Sequence, residues 1–170
     1  MRVIVAFVAA VLLAGGFAAI VYGVGGSPAV VQPIAFNHAV HTGEAGITCT
    51  ECHTDAETRV SAGLPGKAGC FDCHDIDDEA GTHAEKDKLF AFDDIDGDIP
   101  WIRVAVTRPD VFFSHRRHVR SGGIECLRCH TGQTALTKPP TRVQLVMSMT
   151  MCIDCHNERG VSTDCLACHR

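Results

Sequence analysis

The sequence predicts a small, mostly irregular and α-helical fold whose interior is filled by something other than side chains, with one transmembrane helix at its N-terminus. Three observations predict it. The 170 residues include only one Trp, one Tyr and eight Phe, so a core of side chains alone would be thin. The chain carries ten Cys and ten His, and every Cys falls within one recurring pattern, C-x-x-C-H. It begins with 22 consecutive uncharged residues, Val3 to Val24, behind Arg2.

The N-terminal segment comes first. As a helix rising ~1.5 Å per residue it would span ~33 Å, about the hydrocarbon thickness of a bilayer. The apolar region of a cleaved signal peptide is usually only ~7–15 residues long. Residues 1–26 therefore read as a retained membrane anchor, with Gly25-Gly26-Ser27 marking where cleavage would fall if the segment were a signal peptide instead. Gly15, Ala19 and Gly23 lie four apart, a small-residue seam that lets a second helix approach closely in lipid. Arg2 on the cytoplasmic side places the rest of the chain on the periplasmic face. Gly25 to Pro33 reads as a short tether, and residues 27–170 as one domain.

The motifs occupy Cys49–His53, Cys70–His74, Cys126–His130, Cys152–His156 and Cys165–His169. Their cysteines are Cys49 and Cys52, Cys70 and Cys73, Cys126 and Cys129, Cys152 and Cys155, and Cys165 and Cys168. One helical turn brings thiols at i and i+3 to the same side, where they can add across the two vinyl groups of one haem. The next residue, His, reaches the iron from beneath the ring, so each motif supplies two thioether bonds and one axial ligand. Zinc ribbons pair C-x-x-C knuckles but do not require His after each second Cys. Disulfide and zinc readings both fail on that regularity. The expectation is five covalently bound haems c, each with one iron.

Five histidines remain outside the motifs: His38, His41, His83, His115 and His118. Five irons each need one further ligand, so supply equals demand, and bis-histidine ligation of every haem is expected. Saturated iron has no open position for substrate, which suits electron transfer rather than catalysis. His38 and His41 are three apart, as are His115 and His118, so on a helix each pair would project together and serve two neighbouring haems. His83 stands alone in an acidic stretch, and Met147, Met149 or Met151 before the fourth motif offers a competing thioether ligand, although packing against the porphyrin is the expected role of these methionines.

The segment from His38 to His53 recurs from His115 to His130 at an offset of 77 residues, and Gly46-Ile47 recurs as Gly123-Ile124. The second and fourth motifs follow at an offset of 82, at which His83 falls opposite Cys165. The repeat thus covers about 36–83 and 113–169, with an extra attachment site in the later copy. Gly, Pro and Asp punctuate the chain between motifs, so short helices at the motifs and irregular chain elsewhere are expected.

Net charge is −5, and no long Lys/Arg run suggests a nucleic-acid partner. Charge is nevertheless segregated: Asp72 to Asp98 holds 11 acids, while Ile99 to Val143 holds eight Arg/Lys. Arg116, Arg117, Arg120 and Arg128 surround the third motif, where guanidinium groups could pair with haem propionates or simply form a solvated face. Asp93 to Asp98 faintly resembles a calcium loop, but its glycine and closing acid are misplaced.

F-x-H-x-x-H ahead of C-x-x-C-H, present at Phe36–His53 and Phe113–His130, resembles the class III, cytochrome c3/c7-like multihaem cytochromes. Trp101-Ile102-Arg103-Val104, Pro109 to His115, Met149 and the closing Asp164 to His169 are similar to the pentahaem membrane-anchored subunit of alternative complex III and of related quinone-reductase complexes. The resemblance implies that His38 ligates the haem of the first motif and His115 that of the third, with the second His of each pair serving a more distant haem. It also implies a subunit that is not itself an enzyme. Such a subunit relays electrons between a quinol-oxidising assembly in the membrane and a periplasmic acceptor or donor. The alternatives are a protomer of an extracellular haem filament and a free periplasmic shuttle.

Overall fold

Each C-x-x-C-H segment closes a single turn of helix, because the backbone N–H of the histidine reaches back to the carbonyl of the first cysteine. That hydrogen bond measures 2.9 Å at His53, His74, His130 and His169. The computed structural model describes residues 29–169 apart from positions 82, 143 and 146, so the predicted anchor at 1–26 lies outside the described residues. Among the described residues, no helix is long and apolar enough to cross a membrane.

The helices are α1 (Cys49–Cys52), α2 (Lys67–Phe71), α3 (Ile76–Glu79), α4 (Ala84–Phe90), α5 (Met149–Glu158) and α6 (Cys165–Cys168). The third motif forms a tighter 3₁₀ turn at Cys126–Arg128. The helix starts reflect local chemistry. Thr48 and Glu51 cap α1 reciprocally, Ser148 accepts the Met151 N–H before α5, and Asp164 accepts the Leu166 N–H before α6. A two-residue parallel pair, β1 (Ala105–Val106) with β2 (Gln144–Leu145), ties the middle of the chain to the segment before α5.

Side-chain packing is sparse, as the low aromatic content predicts. One cluster joins Ile34, Leu89, Phe90 and Ile99, with Cys70, Phe71, Phe92 and Trp101 packed against it. Among the described residues no side chain is fully buried. The cluster lies beside the second motif and is braced by polar bonds. Trp101 Nε1 donates to the Pro65 carbonyl at 2.8 Å, and Gln32 exchanges two hydrogen bonds with the Ile102 backbone, at 2.6 and 2.9 Å. The Lys67 ammonium occupies the acidic loop, donating to the carbonyls of Phe92, Asp93 and Ile95. The stretch with a faint calcium-loop pattern thus binds a side-chain cation through its backbone oxygens.

Candidate functional site

The two F-x-H-x-x-H segments fold alike. In each, the chain opens into a wide π-type turn, Ala39–Glu44 in the first and Arg117–Ser121 in the second. Ala45 N donates to Val40 O, and Gly122 N to Arg117 O, both at 2.9 Å. The phenylalanine packs between the two histidines of its segment. Phe36 meets His38 edge-on at 4.8 Å and stacks on His41 at 4.3 Å; Phe113 meets His115 at 4.9 Å and stacks on His118 at 4.5 Å. A regular α-turn would project each pair together, as expected from the spacing. The wider turn and the intervening ring send the two histidines to different motifs, one physical reason for the phenylalanine in this pattern.

Three of the four repeat histidines face a motif histidine across a fixed gap. His41 and His74 have ring centres 6.1 Å apart, His115 and His130 6.3 Å, and His118 and His156 6.2 Å. Two imidazoles bound on opposite sides of one metal ion by bonds of about 2 Å have ring centres about 6 Å apart. His38 is half-buried beside His53, and burial first, then His53 and His41, lowers its pKa below the usual histidine range. Its Nδ1 is a buried side-chain polar atom without a partner. Burial also lowers the pKa of His115 and His130. These rings are held neutral, the form that binds metal.

On most of these rings Nδ1 is engaged, which leaves Nε2 free. His53 donates to Gly63 O at 2.8 Å, His41 to Asn37 O at 2.8 Å, His118 to Ser114 O at 2.8 Å, His115 to Val60 O at 3.1 Å and His156 to Ser162 O at 2.7 Å. His74 donates to the Glu79 carboxylate at 2.6 Å, and His169 to that of Asp110 at 3.2 Å. Such bonds orient metal-binding imidazoles and fix their tautomer. His83 is placed differently. It is exposed and caps α4, its Nδ1 accepting the Glu85 N–H at 3.2 Å, which leaves the proton of the neutral ring on Nε2. Among the described residues no ring contact joins it to a motif histidine. This capping role carried no signal in the sequence beyond the start of a helix.

All ten cysteines are unpaired, and the motifs lie side by side in a definite order. Burial raises the Cys70 pKa, with Cys52 the next cause; Cys52 is raised by burial, Glu51 and then Cys73. Burial and the adjacent Cys49 raise Cys126, and a cleft of about 330 Å³ is lined by both of these cysteines with Thr48, Glu57, Val119 and Ile124. Burial and Cys155 raise Cys129, while burial and Cys168 raise Cys152. Backbone bonds support the same arrangement: His115 N donates to Val60 O, Arg116 N to Arg59 O, and Phe112 N to Cys168 O. The motifs therefore follow the spatial order second, first, third, fourth, fifth.

The residues suit haem c. Thiols stand one turn apart in every motif, imidazoles face each other at a bis-axial spacing, and apolar side chains beside the motifs face outward. Leu166, inside the fifth motif, is 81% exposed, and Met149, just before the fourth, 63%. A porphyrin face would cover such groups. Met149 begins α5 and Met151 lies in its first turn, behind the Ser148 cap.

Comparison with known proteins agrees with this chemistry. Residues 23–94 match the class III cytochrome c family, and residues 111–170 match cytochrome c7 and related cytochromes c. The two matches fall on the two halves of the chain. The multihaem cytochrome c subunit of menaquinone reductase from Nitratidesulfovibrio vulgaris (strain Hildenborough) is 32% identical over 163 aligned residues, covering 82% of this chain and 77% of the relative. Motif chemistry, ring geometry and these similarities converge, and the chain belongs to the class III multihaem cytochromes c, electron-transfer proteins with covalently attached haem.

Proposed function

We propose that the chain carries five haems c and conducts electrons along them as a membrane-anchored subunit, between a quinol-oxidising complex and a periplasmic partner. The five cysteine pairs, from Cys49/Cys52 to Cys165/Cys168, form the thioethers. His53, His74, His130, His156 and His169 are the first axial ligands. His38, His41, His115 and His118 complete the haems of the first, second, third and fourth motifs. His83 is the fifth axial candidate by count, and to bind iron its Nδ1 must give up the Glu85 N–H and carry the proton itself. The repeat spacing of 6.1–6.3 Å between facing imidazoles is the observation that carries the reading.

When bound, haem c supplies an iron that alternates between ferric and ferrous states. The chain supplies strong-field axial ligands and a close succession of sites. Arg116, Arg117 and Arg120 around the third motif supply guanidinium groups for propionates, while Arg128 binds Glu158 at 3.0 Å. The relation to a menaquinone reductase subunit supports a quinone-linked complex and association with other subunits. The uncharged stretch from Val3 to Val24 supports the anchor.

The test is purification from membranes of a host that attaches haem c. Intact mass should equal the full chain plus five haems, and other redox subunits should co-purify. Fewer than five haems would overturn the count. Recovery as a lone soluble protein would favour a periplasmic shuttle, and recovery as fibres a filament protomer.

A further inference from the structure

Among the described residues, seven histidines donate a hydrogen bond from Nδ1, five of them to backbone carbonyls. The other two, His74 and His169, donate to carboxylates, and they belong to the second and fifth motifs, the two ends of the row. The two carboxylates are not equivalent. Glu79 approaches His74 at 2.6 Å, and its side chain is 27% exposed. Asp110 stands 3.2 Å from His169, is 47% exposed, and also binds Arg108.

The Glu79–His74 bond is in the short, charge-assisted range. Its geometry is fixed from both sides. Glu79 closes α3, five residues after His74, and its second oxygen accepts from the Lys86 ammonium of α4 at 2.6 Å. A carbonyl partner orients an imidazole without adding a full charge. A carboxylate also draws the Nδ1 proton, makes the ring a stronger donor at Nε2, and so favours the ferric iron it binds.

We propose that Glu79 is a positioning residue that acts through His74 to hold the haem at Cys70–His74 at the lowest reduction potential of the row. An end site held low passes its electron inward: its iron goes from ferrous to ferric as the iron of the adjacent first motif goes from ferric to ferrous. Electrons then enter at the second motif and leave toward the fifth. The inference rests on the multihaem reading above.

The experiment is a spectroelectrochemical titration of the haem-loaded full chain, with a variant lacking Cys70 and Cys73 identifying the wave that belongs to this site. Glu79→Gln keeps a hydrogen-bond acceptor and removes the charge. It is expected to shift that one-electron equilibrium about tenfold toward the ferrous form, a rise of about 59 mV, with the other waves and the low-spin spectrum unchanged. Lys86→Met frees the carboxylate from its counter-charge and is expected to move the same wave downward. Glu79→Asp should retain part of the effect. An unmoved wave, a common drift of all waves, or shifts of the same sign in Glu79→Gln and Lys86→Met would overturn the role of Glu79. If Glu79→Gln fails to mature, the sign of the Lys86→Met shift decides. Haem stoichiometry of the unaltered chain tests the multihaem reading separately.

Discussion

At the scale of single residues, the histidines divide by what their Nδ1 atoms do. Seven donate and so present Nε2, while His83 accepts and presents a protonated Nε2. Removing a facing ring should therefore have a local and specific result. His118→Ala leaves His156 without the ring 6.2 Å away. One haem is expected to change from low-spin to high-spin and to bind carbon monoxide, with the remaining haems unaltered. Electron paramagnetic resonance and visible spectra in the ferric and ferrous states check this. His83→Ala makes the corresponding test of the remaining axial candidate, where a new high-spin signal is expected. An unchanged spectrum would assign that residue to capping α4 alone.

At the scale of elements, the wide turn that splits each histidine pair depends on a glycine placed just beyond it. Gly46 and Gly123 occupy equivalent places after the two turns, with φ of +69° and +59°. There the chain reverses so that Ile47 N reaches His41 O, and Ile124 N reaches His118 O. A side chain in that left-handed conformation costs about 1–2 kcal/mol. Gly123→Ala should lose about that much stability and weaken the approach of His118 to His156. Gly43, within the first turn, has no positive φ and open space around it, so Gly43→Ala should be close to neutral. Denaturant midpoints of the haem-loaded variants measure the difference. The Gly-Ile repeat was visible in the sequence, but its backbone reason was not, because an i+3 spacing reads as α-turn until the wider hydrogen bonds are seen.

At the scale of the whole molecule, the buried cluster of Ile34, Leu89, Phe90 and Ile99 among the described residues supports the second-motif end of the row. Ordering each residue costs about 1–2 kcal/mol of backbone entropy, which so little burial cannot offset. Chain produced without haem attachment is expected to show no cooperative thermal transition by circular dichroism, and haem-loaded chain to show one. The row of motifs makes a second demand. Replacing Cys126 and Cys129 by Ala removes the middle site and should slow electron passage between the ends by well over tenfold. Replacing Cys165 and Cys168 only shortens the row. Rapid-mixing reduction at one end, followed by spectral deconvolution, separates the two outcomes.

Cysteine spacing, the histidine count and the 77-residue offset already determined the chemistry, because covalent attachment and axial ligation depend on residue type over a few positions. They did not determine which ring meets which motif. His41 to His74 and His118 to His156 are long-range contacts chosen by a π-type turn and a wedged phenylalanine. The order of the motifs, the capping role of His83 and the carboxylate behind His74 are likewise tertiary. Each depends on segments distant in the chain, or on the geometry of one bond, rather than on a pattern that local spacing can encode.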